Sequence, residues 1–211
     1  MRTRQASFAQ DKAPSPVDRL GRWLSTVRMR RLLGDVDGKR GADIGCGYDA
    51  ALARSLFAGA ASTLLVDISV DPALAGPGRT CIEGYLPDVL HQVADATIDA
   101  VICNNVIEHL AEPELTLAQL YRITAPGGVC VINVPSWRGK VFLELAAFRL
   151  GLAPKCEMDD HKIYYDPKDL WPLLVRAGFL PSDLRVRKHK GGLNTIARAR
   201  KPLDPTLTAR A

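Results

Sequence analysis

The run Asp43-Ile44-Gly45-Cys46-Gly47 sets two glycines, separated by one residue, just after an acidic strand residue. A backbone without Cβ allows a sharp turn there and a close approach by a ligand. Gly41–Ile44 reads as a short strand and Ala50–Phe57 as a helix. The bend therefore sits where open α/β sheets take ligands, at the carboxyl end of a strand, and a helix start behind it favours negative charge. Asp67 closes a second strand, Thr63–Asp67, 22 residues after Gly45. A carboxylate in that place accepts two ribose hydroxyls at once, which suits nucleoside ligands in general. Gly45-x-Gly47-x-x-Ala50 with Asp67 also satisfies the relaxed dinucleotide fingerprint, so these features alone leave a nicotinamide-dependent oxidoreductase open.

A second set of reactive side chains lies downstream. Asp159-Asp160-His161-Lys162 and Tyr164-Tyr165 put an imidazole near carboxylates and phenols. A histidine in such company takes a proton near neutral pH, which makes His161 and Tyr164 candidates for proton transfer. The alternative is a solvated loop whose tyrosines pack on a sheet edge. Glu108 and His109 directly follow a strand and are either crevice residues or a helix-starting pair bonded to backbone. His91 and His189 stand alone and read as surface residues. The four histidines lack metal-ligand spacing, and the five cysteines are an odd set without a C-x-x-C pair. Reduced core thiols and no metal are expected.

The elements that must position these residues follow a βαβ rhythm. Thr80–Glu83, Ile98–Asn104 and Val129–Val134 read as further strands, Pro87–Val93 as a short helix, and Pro113–Thr124 as a longer one stopped by Pro126-Gly127-Gly128. Such alternation predicts an α/β fold around a parallel sheet with right-handed crossovers. An amphipathic helix from Val17 to Val36 precedes it, with Trp23 and Leu24 placed either to close over the crevice or to pack. After the fifth strand come a second amphipathic helix over Trp137–Leu152, an irregular stretch to Asp166, and a helix over Pro167–Ala177. Two strand-like runs then flank Lys190-Gly191-Gly192, a hairpin signal. Residues 1–16 are expected to be a disordered tail, 17–200 one domain with an insertion at about 137–166, and 201–211 a flexible end.

The chain has 211 residues, 47% hydrophobic and 24% charged, ordinary values for one globular domain. No apolar run approaches the roughly 20 residues that span a bilayer, and no signal-like apolar region follows the first arginines. A cytoplasmic protein without membrane insertion is expected. Residues 1–40 hold ten Lys/Arg against four Asp/Glu, and residues 185–211 hold eight against one, around an acidic middle. Basic ends of this kind can meet nucleic acid or anionic lipid, but no aromatic interleaving or RNA-module motif accompanies them, so a nucleic-acid partner is not expected.

The stretch from Gly41 to Pro135 resembles class I S-adenosylmethionine-dependent methyltransferases of the ubiquinone/menaquinone-biosynthesis type. Asp43 to Gly47 looks like their first motif and Leu65-Val66-Asp67-Ile68-Ser69 like their second. Ile98 to Leu110 resembles the fourth-strand motif, and Ala125-Pro126-Gly127-Gly128 with Asn133-Val134-Pro135-Ser136 completes the set. The resemblance implies a Rossmann-like, seven-stranded, mostly parallel sheet with helices on both faces and an antiparallel last strand. S-adenosylmethionine is the implied cofactor. Asp43, Gly45, Cys46 and Gly47 would surround its methionine part, Asp67 and Ile68 its ribose and adenine, and Gly84, Tyr85 and Leu86 the adenine. Asn104 would lie near the sulfonium. Asp49 stands where many members carry a further glycine, either bonding a helix amide or the cofactor, or crowding the pocket. The implied acceptor is a small molecule methylated on oxygen or nitrogen, a secondary metabolite or a sugar, since Asp159 to Asp166 looks like bacterial methyltransferases that tailor such compounds. A nucleic-acid methyltransferase and a binding-only relic remain as alternatives, and the oligomeric state stays open, a homodimer included.

Overall fold

The computed structural model describes residues 7–8, 16–141 and 162–203. In chain order the elements are α1 (Pro16–Leu33), β1 (Arg40–Ile44), α2 (Ala51–Leu56), β2 (Ser62–Asp67), β3 (Arg79–Glu83), β4 (Ile98–Asn104), α3 (Pro113–Ile123), β5 (Thr124–Pro135), α4 (Pro167–Arg176), β6 (Leu184–His189) and β7 (Asn194–Arg200). β1, β2, β4 and β5 are near-continuous buried apolar runs, as strands covered on both faces must be. They assemble in the order β3-β2-β1-β4-β5-β7-β6. β3 through β5 pair in parallel, and β7 runs antiparallel to both β5 and β6. This is the Rossmann-like sheet expected from sequence.

Side chains alternate along each strand, so each face has its own core. Ala42, Ile44, Val66, Val101 and Cys103 pack with Leu117, Leu120 and Ile123 of α3 and Leu170, Leu173 and Leu174 of α4. On the other face Leu65, Ala100, Ile102 and Val131 meet Met29 and Leu33 of α1 and Leu52, Ala53 and Leu56 of α2. Gly34, at φ +76°, ends α1 by donating its amide to the Arg30 carbonyl at 3.1 Å. Arg198 of β7 donates Nε to the Leu32 carbonyl at 2.8 Å, fastening that helix end to the sheet. Trp23 of α1 is 60% exposed and does not pack into the core. The basic ends of the chain come together here: Arg28, Arg185, Arg187 and Arg198 line one cavity of about 290 Å³.

Several local readings change. The short helix expected over Pro87–Val93 is a 3-10 helix, Asp88–Gln92, beside which Arg122 of α3 donates to the Leu90 and Val93 carbonyls at 2.7 and 2.8 Å. β5 starts at Thr124, before Pro126-Gly127-Gly128, because Thr124 pairs with Ile98 and the register then shifts before Ala100. Of the second amphipathic helix only residues 137–141 are described, and they are helical. Lys201, in the stretch read as a flexible end, is anchored: its Nζ donates to the Tyr121 carbonyl at 2.9 Å. Cys46, Cys103 and Cys130 are buried free thiols, Cys81 is half-buried and also free, and Cys156 lies outside the described residues. Among the described residues no helix is long and apolar enough to cross a membrane.

Phe179 is fully buried and meets the Tyr121 ring edge-on at 5.0 Å. Phe179→Ala should lower unfolding free energy by about 3–5 kcal/mol, the cost of an unfilled aromatic site, measured by urea denaturation.

Candidate functional site

Because β1, β2 and β4 are parallel, their carboxyl ends open on one edge, and the loops leaving them share a crevice. The glycine bend is stitched to β2 there: the Gly45 and Cys46 amides both donate to the Val66 carbonyl, at 2.7 and 3.1 Å. Asp67 completes the joint. Its Oδ2 accepts the Gly47 amide at 2.7 Å and its Oδ1 the Ile68 amide at 2.8 Å. Gly45 (φ +78°) owes its identity to the chain itself, since a Cβ there would lie 2.1 Å from Val106 Cγ2. The Cys46 side chain turns into the core beside α2, and its amide is held by the Val66 carbonyl.

The helix behind the bend is shorter than the sequence suggests. α2 has six residues, and Ala50 before it is left-handed with φ 43° and no side-chain cap. The expected attraction for negative charge is weak in so short a helix. Asp49 neither crowds the crevice nor stands alone: Oδ1 accepts the Ala51 amide at 3.3 Å, and Oδ2 lies 3.4 Å from Arg22 of α1.

Asp43 has the most perturbed carboxyl of the crevice. Burial pushes it up to about 8, the Asp67 charge adds to this, and the nearby Ala53 amide offsets a part. Neither oxygen completes a hydrogen bond to the described residues. A buried carboxylate in that condition lacks a cationic or donor partner. Gly84 follows β3 and donates its amide to the Asp67 carbonyl at 3.0 Å, so it borders the same edge, with Tyr85 half exposed and Leu86 packed on the core. Asn104 ends β4, and its Oδ1 accepts Asn133 Nδ2 of β5 at 3.0 Å.

Three features of the crevice were missed in the sequence. Ser7 and Phe8, within the stretch expected to be a disordered tail, lie against Asp67 and the glycine bend. Glu83 closes β3 by accepting the Val70 amide at 2.7 Å. Asn105, left-handed at φ 55°, also accepts Asn133 Nδ2 and turns the chain after β4. An Asn-Asn pair after an apolar strand was the only signal for the last, and nothing marked Ser7.

The downstream candidates converge from distant stretches. Glu108 is fully buried in the turn Ile107–His109, and its carbonyl accepts the Lys162 amide at 2.8 Å and the Ile163 amide at 3.4 Å. The Tyr165 amide donates to the Pro135 carbonyl at 3.0 Å. Half-buried His109 and buried Tyr164, whose ring lies 5.7 Å from Trp137, thus border one region beside the crevice. Tyr165 has its phenol pushed up by burial and by Glu108. His161 lies outside the described residues. His91 is exposed as expected, whereas His189 is half-buried, its imidazole pushed down by burial and by the charges of Lys190 and Arg28. Among the described residues no group of three or more His, Cys, Asp or Glu is placed to hold a metal.

Residues 42–132 match the family model of a methyltransferase domain. Ubiquinone biosynthesis O-methyltransferase of Aeromonas salmonicida is 27% identical over 161 residues, 72% of this chain and 67% of that protein. Over residues 42–132 the chain carries a methyltransferase domain. S-adenosylmethionine is the cofactor that the resemblance to class I methyltransferases implies. The corresponding Psychrobacter arcticus enzyme is 26% identical over 70% of this chain, and the match spans 61% of its own length. The solved S-adenosylmethionine-dependent methyltransferase of Thermotoga maritima shares the fold, with a TM-score of 0.63 at 18% identity over 87% of this chain and 90% of that one. These matches side with the methyltransferase domain over the nicotinamide-dependent reading that the glycine spacing left open.

Asp43 gives the domain a pH signature. Its folded carboxyl titrates near 8 against an ordinary 3.8. Folding therefore takes up a proton: the contribution is fully present below about pH 4 and lost as pH rises through the folded value. Asp43→Asn should escape that loss, so its stability gain over wild type in urea denaturation should be larger at about pH 8 than at about pH 5. Parallel pH profiles would mean that Asp43 is ionised and paired.

Proposed function

We propose that this chain transfers the methyl group of S-adenosylmethionine to an oxygen or nitrogen of a small molecule, with oxygen favoured by the names of its curated relatives. The observation that carries the reading is the buried, unpartnered Asp43 carboxylate beside a glycine bend already tied to Asp67. A group with an ammonium at one end and ribose hydroxyls at the other fits that pair of acids. In this reading Asp43 faces the ammonium, Gly45 to Gly47 wrap the methionine part, and Asp67 takes the ribose. Ile68 and Gly84 to Leu86 flank the adenine, and Asn104 lies near the sulfonium.

The cofactor, when bound, supplies a methyl carbon on a strong leaving group. The chain's task is then mostly positioning, and a base is needed only where the acceptor must shed a proton. The acceptor side is the region bordered by the turn Ile107–His109 and residues 162–166, with His161 next to Lys162. A hydroxyl acceptor held there would receive the methyl group that the cofactor supplies, and His161, with His109 and Tyr164 as the alternatives, would take its proton. The reading includes a cytoplasmic enzyme with no nucleic-acid partner.

Asp67→Ala should weaken S-adenosylhomocysteine binding by about 1–3 kcal/mol, the scale of lost charged hydrogen bonds, in calorimetric titration. An unchanged dissociation constant would remove Asp67 from the cofactor site. With methyl-labelled cofactor and a panel of phenol and amine acceptors, His161→Ala should cut turnover by about 10²-fold or more while leaving cofactor affinity intact. Normal turnover across the pH range would retire His161 as the base, and absence of transfer to any acceptor by the wild type would sink the proposed activity.

A further inference from the structure

Ser7 and Phe8 together cover the atoms that the cofactor needs. Ser7 is 5% exposed, and its Oγ lies 2.6 Å from both Asp67 Oδ1 and the Ser69 carbonyl, which share its one proton. The same oxygen accepts the Ser69 amide at 2.9 Å. A ribose hydroxyl has the same inventory, one proton to give and lone pairs to accept with. The next residue covers the glycine bend: the Phe8 carbonyl accepts the Tyr48 amide at 2.8 Å. A Cβ on Gly47 would stand 3.2 Å from that carbonyl, so Phe8 lies directly on the turn.

We propose that the segment carrying Ser7 and Phe8 is an internal competitor of S-adenosylmethionine, with the Ser7 hydroxyl standing in for a ribose hydroxyl on Asp67. This rests on the reading that Asp67 and the glycine bend hold the cofactor. Both occupants need Asp67 Oδ1, and both need the face of Gly47, so one must leave for the other to enter. The apparent affinity for the cofactor is then the intrinsic one reduced by the fraction of chains in which the segment has left. The few hydrogen bonds involved make that fraction small but attainable, and anything that captures the first residues of the chain raises it.

Calorimetric titration of the full chain with S-adenosylhomocysteine tests this. Ser7→Asp sets a second carboxylate against Asp67 and expels the segment, so the dissociation constant should fall by about 3- to 10-fold, with Ser7→Ala moving the same way by less. A synthetic peptide spanning residues 1–12, added to Ser7→Asp, should raise the dissociation constant again in a competitive manner. Unchanged or weaker binding in both variants overturns the competitor; weaker binding would make the segment a cover that holds the cofactor. Asp67→Ala separates the two failures. If it leaves affinity unchanged, the cofactor site itself is misplaced. If it weakens binding while the Ser7 variants do not tighten it, only the competitor falls.

Discussion

A hydrogen bond of 2.7 Å from the Gly47 amide to Asp67 Oδ2 joins the turn after β1 to the end of β2, and the whole crevice is arranged around it. The parallel sheet makes the bond reachable by setting both carboxyl ends on one edge. Once formed, it fixes a negative charge near Asp43, which burial has already disfavoured as an anion. In the same turn Val106 packs against Gly45 and Phe8 lies on Gly47. A substitution at any of these positions therefore acts on the local packing of the whole turn.

Much of this edge was legible in the chain. Apolar runs of four to seven residues with acids or glycines at their ends are one-dimensional signals, and Asp43, Asp67 and Asn104 fell where the strands end. The number of strands and the reversed last one came through the resemblance and the Lys190-Gly191-Gly192 signal, whereas the strand order came from the structure. The illegible parts are those decided by contacts between distant stretches. The early start of β5 depends on Thr124 pairing with Ile98, and the seat of Ser7 on Asp67. Propensity carries no record of such partners, and for Ser7 even the composition pointed toward a tail.

The stretch 162–166 depends on a different kind of contact. Main-chain bonds from Lys162, Ile163 and Tyr165 to the Glu108 and Pro135 carbonyls place it beside the ends of β4 and β5. The buried rings of Tyr164 and Tyr165 add packing to that backbone seat. Side-chain carboxylates at the ends of β1 and β2 and main-chain bonds at the ends of β4 and β5 thus meet along one edge of the sheet.

β7 has both of its hydrogen-bonding sides satisfied, one by β5 and the other by β6, although it is the last of the three in the chain. While the chain is being synthesised, β5 and β6 exist before the strand that separates them. Until residues 194–200 have emerged, each presents a bare row of amides and carbonyls, the kind of rim on which nascent chains stick to one another. Closure of the sheet waits on residues 194–200, so the place of β7 between β5 and β6 makes it the keystone of biosynthesis.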